Sequence, residues 1–209
     1  MITAMSIMLP RANVAALRIN DVLKTKVSVT DPENPVQPDA NVKGTVEFDH
    51  VSFAYPEAGE NVISDISFKA EKGETIAVIG STGSGKSTLF KLLTGLETEY
   101  EGCISVNGTD IRQLWPALYD QIGVVLQDAF IFDDTFLRNV TLYRPALRER
   151  AVSVMHSLGM DAFLASHDLD QVFQNTKGNL SGGERQKLAL ARVLTENKRV
   201  IFLDEATAN

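Results

Sequence analysis

The sequence predicts an α/β fold that combines a parallel core sheet with an antiparallel β subdomain near residues 44 to 72 and a helical subdomain near residues 128 to 180. Three observations support this prediction. Short runs of β-forming residues begin at residue 46, and an apolar run leads into a glycine-rich turn at residue 80. Helical patterns then alternate with two more apolar runs of strand length. That order is typical of a parallel sheet covered by helices.

Length and composition narrow the class of protein. The chain has 209 residues, of which 44% are hydrophobic, and a formal net charge of -7. This length allows one substantial hydrophobic core. Because the net charge is negative, the chain has no positive electrostatic field that would attract a nucleic acid, and we expect no nucleic-acid partner. Cys103 is the only cysteine, which excludes an internal disulfide and indicates a reducing environment. No apolar run approaches the roughly 20 residues of a membrane-spanning helix.

The first 42 residues are expected to precede the main domain. Apolar residues recur at helical spacing over residues 11–23, which predicts an amphipathic helix within a segment covering residues 1–26. Residues 30–40 contain three prolines and cannot form a helix or a central strand, so we predict a linker over residues 27–42. We assign residues 43–209 to one domain that is incomplete at its C-terminus.

Regular elements are expected along the whole domain. The apolar run TIAVIG, residues 75–80, is expected to form a buried parallel strand. Asn107 and Gly108 suit a tight hairpin turn with positive φ at both residues. The other expected strands lie within residues 46–55, 62–70, 101–111, 122–126 and 199–203. Helical patterning covers residues 115–119, 134–141, 147–158 and 183–194.

The segment GSTGSGKST, residues 80–88, has the pattern of a phosphate-binding loop: glycine, four residues, glycine, lysine, then serine or threonine. Its glycines let successive N–H groups point inward, and the helix expected after it adds partial positive charge. Lys86 would reach the β- and γ-phosphates, and the Ser87 hydroxyl would bind Mg²⁺. The alternative is a chance glycine-rich turn, which the flanking strand-like and helix-like runs disfavour.

Two further segments could carry chemistry. The run RVIFLDEATAN ends an apolar strand in Asp204 and Glu205, at the edge where ligands bind in open α/β sheets. Asp204 would hold Mg²⁺ and Glu205 would polarise the attacking water, although an acidic turn after a core strand fits equally well. The run NLSGGERQ starts a helix pattern, where Ser181 suits an anion site and also a capping box with Glu184. These two interpretations are compatible.

Taken in order, GSTGSGKST, LSGGE and IFLDEAT resemble the Walker A, signature and Walker B motifs of the ATP-binding domains of ABC transporters. The segment GVVLQDAFIFDDTFLRNV resembles the Q-loop of that family, and Tyr55 resembles the aromatic residue on which adenine stacks. The resemblance implies a P-loop NTPase fold with a RecA-like core sheet, in which a helical subdomain carries the signature. It also implies catalytic roles for Glu205, Gln127 and Lys86.

The resemblance further implies the ligands ATP and Mg²⁺. The residues implied for Mg²⁺ are Ser87, Gln127 and Asp204. The residues implied for ATP are Tyr55, Ser81, Thr82, Gly83, Ser84, Gly85, Lys86, Ser87, Thr88, Gln127, Ser181, Gly182 and Gly183. In the family, two nucleotide-binding domains close head to tail around ATP. Ser181 and Gly183 would therefore contact the nucleotide of the second domain.

Residues 9–23, LPRANVAALRINDVL, are similar to the stretch that follows the last transmembrane helix of ABC exporters. The resemblance implies an ATPase that powers export at the cytoplasmic face of the cell membrane, with a fused or partner transmembrane domain and a homo- or heterodimeric partner. The chain alone is expected to have weak or no activity. By this resemblance, residues 1–26 are expected to be the cytoplasmic end of that transmembrane helix, and an ordinary amphipathic helix is the alternative. For the function, the alternatives are a non-transport ABC ATPase and a non-hydrolysing partner domain of a heterodimeric transporter.

Three features depart from the family pattern. No histidine follows the Walker B strand, so His50, His156 and His167 cannot be the switch histidine and are expected to be surface or satisfied polar residues. The segment VFQNTKGN, residues 172–179, has no acid where exporters usually place one. The signature ends in Glu184, where many exporters have glutamine.

Overall fold

The structure, a computed structural model, describes residues 2–25, 30–37, 44–56, 58–128, 130–174 and 180–204, with side chains from residue 8 onward. The chain divides into two compact units, Met1–Thr30 and Asp31–Asn209. This division falls inside the linker predicted over residues 27–42, and the boundaries of the predicted domains stay a prediction.

The first unit is built on one helix, α1 (Ile2–Lys24). It includes the amphipathic helix predicted over residues 11–23 and begins well upstream, with Pro10 inside it. Its exposed apolar side chains are Met8, Leu9, Val14, Leu17, Ile19, Val22 and Leu23. Among the described residues, no helix combines the length and the apolar character needed to cross a membrane.

The second unit begins with a four-stranded antiparallel sheet. Its strands are β1 (Val46–Phe53), β2 (Ile63–Ala70), β3 (Glu101–Val106) and β4 (Thr109–Asp110), in the order β2-β1-β3-β4. Buried residues such as Phe48 on β1 and Ile104 on β3 face a common core. Between β3 and β4, Asn107 and Gly108 have φ of 56° and 77°, which confirms the predicted hairpin turn.

Three short helices pack around this core. They are α2 (Lys86–Leu93), α3 (Ile111–Leu114) and α4 (Leu118–Gln121). Leu92, Leu114 and Leu118 are buried in the same core as the antiparallel sheet. The helix predicted over residues 115–119 is wrong at its start, because Pro116 disfavours helical backbone at the residue before it.

A second sheet consists of two parallel strands, β5 (Ile122–Val125) and β6 (Val200–Leu203). Ile122 lies opposite Val200 and Val125 lies opposite Leu203. These strands confirm the predictions over residues 122–126 and 199–203.

The predicted buried strand TIAVIG is wrong for the described structure. Residues 74–80 form no strand and are exposed, with Ile79 91% accessible. A buried parallel strand needs hydrogen-bonded neighbours and covered faces. Among the described strands, none pairs with residues 74–80, so the apolar character of this run alone does not produce a strand.

The predicted helical subdomain is present after β5. It contains α5 (Phe136–Thr141), a 3₁₀ turn (Pro145–Leu147), α6 (Arg148–Ser157), α7 (Asp161–Ser166) and α8 (Gly182–Glu196). Ile131, Val140, Met155 and Leu188 are fully buried in one cluster. This cluster is a second core, built from residues on both sides of residues 175–179.

Gly102 allows β3 to pass close to an irregularity in β1. Its φ is 84°, and a Cβ there would meet the carbonyl oxygens of His50 and Asp49, the latter at 2.5 Å. We expect Gly102→Ala to lower the free energy of unfolding by about 2 to 4 kcal/mol, because backbone atoms must shift. Gly108→Ala, with φ of 77° and open space around it, is the control and should cost about 1 kcal/mol. Urea unfolding compares them, and equal losses would contradict the close approach.

Candidate functional site

The phosphate-binding loop leads directly into α2. The Ser84 N–H donates to the Ser81 carbonyl at 3.2 Å, which closes a turn within the loop. Gly85 caps the helix with φ of 89°, a left-handed conformation that favours glycine, and its carbonyl accepts from the Thr88 N–H at 3.0 Å. Residues 81–84 are exposed and therefore accessible to a ligand, whereas Gly85, also predicted to bind phosphate, is buried.

Lys86 is the first residue of α2, and its side chain folds back over the loop. Its Nζ donates to the carbonyl oxygens of Gly80 and Ser81, both at 2.9 Å. The neighbouring Ser87 is exposed, whereas Thr88 is buried. A cation and an accessible hydroxyl therefore lie at a helix N-terminus, where the aligned peptide dipoles add positive potential. This arrangement suits a phosphate group.

Tyr55 lies beside the same helix, two residues after β1. Its hydroxyl is 3.3 Å from the Thr88 hydroxyl and accepts from Lys91 Nζ at 3.2 Å. Lys91 Nζ also lies 5.2 Å from the centroid of the Tyr55 ring, and Phe53 packs edge-on against that ring. The structure thus brings Tyr55, Lys86 and Thr88 together around α2.

Asp204 and Gln127 follow the carboxyl ends of the two parallel strands. The Asp204 N–H donates to the Val125 carbonyl at 2.9 Å, so Asp204 lies beside the last residue of β5. Gln127 follows that residue by two positions. Phe202 on β6 contacts Phe90 on α2 edge-on, with ring centroids 6.4 Å apart. This contact joins the strand that carries Asp204 to the helix that carries Ser87.

The chemistry of the predicted metal residues fits Mg²⁺. Ser87, Gln127 and Asp204 offer a hydroxyl, an amide oxygen and a carboxylate, which are oxygen ligands of the kind that Mg²⁺ prefers. Two of the three belong to one edge of the parallel sheet. Glu205, the predicted general base, lies outside the described residues.

The signature segment begins α8 with a complete capping box. The Ser181 N–H and hydroxyl both donate to Glu184 Oε2 at 2.8 Å, and the Glu184 N–H donates to the Ser181 hydroxyl at 3.2 Å. The hydrogen bond from the Ser181 backbone lowers the pKa of Glu184. Gly182 and Gly183 are exposed. The structure thus confirms the predicted capping box, and the N-terminus of α8 remains accessible.

The structure does not bring the signature segment to the phosphate-binding loop. Leu180 packs on the core of the helical subdomain, whereas Leu89 of α2 packs on the core of the antiparallel sheet. Within the described ranges, no hydrogen bond or ring contact links residues 181–183 to residues 80–88. The loop and the signature segment thus pack on different cores.

Two residues near these sites were missed by the sequence analysis. Lys91 contacts Tyr55 and lies three residues after Thr88, a spacing that places both on one face of α2 and could have been noticed. Arg192 on α8 donates to the backbone of Phe130 and Asn139. No local sequence signal predicts that contact.

The three histidines are polar residues with hydrogen-bonding neighbours, as expected. His50 contacts Asp65 and His156 contacts Asp161, each at 2.6 Å, while His167 stacks on Phe163. The hydrogen bond with Asp65 raises the pKa of His50.

A phosphate-binding loop at the start of α2 and an acid at the end of a parallel strand define a P-loop nucleotide-binding domain. The ABC transporter family profile matches residues 63–208. The chain belongs to the ABC transporter family, and the matched residues form its ATP-binding domain.

Similar proteins are known by sequence and by structure. The alpha-hemolysin translocation ATP-binding protein of Escherichia coli is 34% identical over 95% of this chain and 28% of its own length. The ATP-dependent lipid A-core flippase of Yersinia pestis is 38% identical over 79% of this chain and 29% of its own length. A bacterial Atm1-family ABC exporter, solved with ATP bound, matches with a TM-score of 0.83 and 29% identity over 95% of this chain and 35% of that chain. The chain spans about a third of the length of these relatives.

The capping box predicts a pH-dependent contribution to stability. The pKa of Glu184 lies below its ordinary value of 4.5, so the contribution is complete above that pH and is lost as the pH falls through the lowered pKa. We expect Glu184→Ala to lower the free energy of unfolding by about 1 kcal/mol at neutral pH, and by less in acid. Glu184→Gln keeps a neutral acceptor without the charge and should recover only part of this loss. A Glu184→Ala loss in urea unfolding that does not change with pH would contradict the assignment.

Proposed function

We propose that this chain is the nucleotide-binding domain of an ABC exporter and that it binds and hydrolyses ATP to power transmembrane export. The observation that carries the proposal is the grouping of Tyr55, Lys86 and Thr88 around the start of α2. Tyr55, just after β1, thereby offers an aromatic ring to a base, and Lys86 on α2 offers a cation to the phosphates. The similarity to exporters over most of the chain supports the same function.

ATP would lie along the loop and α2. Adenine stacks on the Tyr55 ring, and the N–H groups of residues 81–88 surround the phosphates. Lys86 exchanges its hydrogen bonds to two loop carbonyls for the β- and γ-phosphate oxygens. Because that lysine already lies over the loop, little rearrangement is required.

Hydrolysis would take place between α2 and the end of β6. Ser87, Asp204 and Gln127 would hold Mg²⁺, which would neutralise phosphate charge at this site. Gln127 helps to position the water that attacks the γ-phosphate. Glu205 accepts a proton from this water as the bond between the γ-phosphate and ADP breaks.

A second nucleotide-binding domain would complete the site. Ser181, Gly182 and Gly183 are exposed at the N-terminus of α8, which suits the γ-phosphate of a nucleotide held by a partner. Their separation from the loop of the same chain supports a head-to-tail dimer, whether of identical or of different domains. ATP then links the two domains, and hydrolysis releases them.

A transmembrane domain would contact the segment that follows Gln127. The Phe130 and Phe132 rings are 65% and 44% exposed and pack edge-on against each other. Exposed aromatic residues are frequent anchors of protein interfaces. We place this face against a fused or partner membrane domain, at the cytoplasmic side of the cell membrane, and assign residues 1–26 to the end of its last transmembrane helix.

The short path from Gln127 to α5 disfavours the repair type of ABC ATPase, which has a long coiled-coil insertion.

The role of Glu205 is tested by conservative replacement in the full-length, membrane-embedded protein. Glu205→Gln should retain ATP binding but lower the hydrolysis rate by roughly 10²- to 10⁴-fold, because the general base is lost. Lys86→Ala is the contrasting variant and should lose binding itself. Binding is measured with a fluorescent ATP analogue and turnover by phosphate release. Normal turnover by Glu205→Gln would exclude this residue as the base.

The adenine-stacking role of Tyr55 is tested by removing first the hydroxyl and then the ring. Tyr55→Phe should bind ATP almost normally, since the ring remains. Tyr55→Ala should weaken binding by about 1 to 3 kcal/mol, a typical value for base–aromatic stacking. Fluorescence titration with the same analogue gives both dissociation constants. Equal affinities of the two variants would show that the ring does not stack on the base.

A further inference from the structure

The guanidinium group of Arg192, near the end of α8, lies against the segment that leaves β5. Its Nε donates to the Asn139 carbonyl at 2.7 Å, and its Nη2 donates to the Phe130 carbonyl at 3.0 Å and to Asn139 Oδ1 at 3.3 Å. The group also lies 5.3 Å from the centroid of the Phe132 ring. These acceptors are neutral oxygens, and burial lowers the pKa of Arg192. One forked cation therefore joins two points of the same segment to α8.

Asn139 completes this network from within the segment. Its side chain is almost fully buried, donates to the carbonyls of Phe132 and Thr135 at 3.0 Å, and accepts from the Phe132 N–H at 2.8 Å. Ile131, between the two aromatic residues, is fully buried. Buried networks with all members satisfied hold their elements in one arrangement. Residues 130–139 and α8 should therefore move as one body.

The two ends of this body lie at two different functional surfaces. Ser181, which would meet the partner's nucleotide, caps α8 about 16 Å along the helix axis from Arg192. The exposed rings of Phe130 and Phe132 lie at the other end, on the backbone that Arg192 binds. A displacement of the helix start would therefore reach the aromatic rings through the guanidinium group.

We propose that Arg192 is a positioning residue that couples the signature end of α8 to the exposed aromatic pair, Phe130 and Phe132. It transmits the nucleotide-dependent position of α8 to the surface that meets the membrane domain. This inference rests on the proposed function and deepens it by naming a residue through which the two surfaces communicate. The planar fork suits this role, because two separate nitrogens, Nε and Nη2, reach the Asn139 and Phe130 carbonyls, whereas lysine has one nitrogen on an unbranched stem.

A double-mutant cycle on ATP hydrolysis tests the coupling in the full-length, membrane-embedded protein. Arg192→Gln removes the cation, and Phe130→Ala removes a ring while keeping the carbonyl that Arg192 binds. Each change should lower kcat by about 2- to 30-fold with little change in the KM for ATP. Because both act through one link, the double variant should be no slower than the slower single variant. Losses that multiply to within about 2-fold would overturn the proposal.

Arg150 on α6 supplies a matched control, because it also contacts α8. Its Nη2 donates to the Leu194 carbonyl at 3.2 Å and has no described contact with residues 130–139. Arg150→Gln combined with Phe130→Ala should give losses that multiply. Arg192→Lys is expected to fold and to keep the charge, yet to uncouple nearly as much as Arg192→Gln. Full coupling in Arg192→Lys would show that the fork is not required.

Amide hydrogen exchange separates this proposal from the proposed function. In the wild-type protein, ATP should slow exchange in residues 80–88 and also in residues 130–139. In Arg192→Gln the first protection should remain and the second should disappear. Retention of both protections would overturn the coupling role alone. Absence of protection at residues 80–88 in the wild-type protein would remove the proposed function and this inference together.

Discussion

The parallel pairing of β5 with β6 determines the path of much of the chain. Parallel strands cannot be joined by a tight turn, so the chain between them must cross over, and that crossover contains α5 to α8. The pairing is extended at both ends, because the Arg199 N–H donates to the Gln121 carbonyl and the Asp204 N–H to the Val125 carbonyl, both at 2.9 Å. Gly123 lets α8 lie directly on this sheet, since a Cβ there would meet the Val193 side chain.

This crossover gives α8 two distinct ends. Its first turn, capped by Ser181, faces solvent, and its last turn is held against the sheet. Glu196 pairs with Lys198 at 3.0 Å and with Arg144, which fixes the helix end where the chain turns into β6. Ser181 and Asp204 are therefore joined by α8, one tight turn and β6. Movement at one end is therefore transmitted to the other end.

The charge around the candidate site is positive, opposite in sign to the net charge of the whole chain. The formal net charge is -7, which on its own repels ATP. Around α2, however, Lys86 lies at the helix N-terminus, close to oriented N–H groups, and Lys91 adds a second cation beside Tyr55. Short-range hydrogen bonds and partial charges can hold a polyanion on an acidic protein because solvent screens the more distant carboxylates.

Features made by residues close in sequence could be predicted from the sequence, because their interactions span only a few residues. The loop before α2, the Asn107–Gly108 turn and the Ser181 capping box belong to this group. The exposure of residues 75–80 could not be predicted, since a strand depends on partners elsewhere in the chain. Nor could the contacts of Lys91 with Tyr55 and of Arg192 with Asn139, which join residues 36 and 53 positions apart. The sequence by itself thus determined the local turns and helix caps of the candidate site, and the tertiary structure alone decided which distant groups contact them.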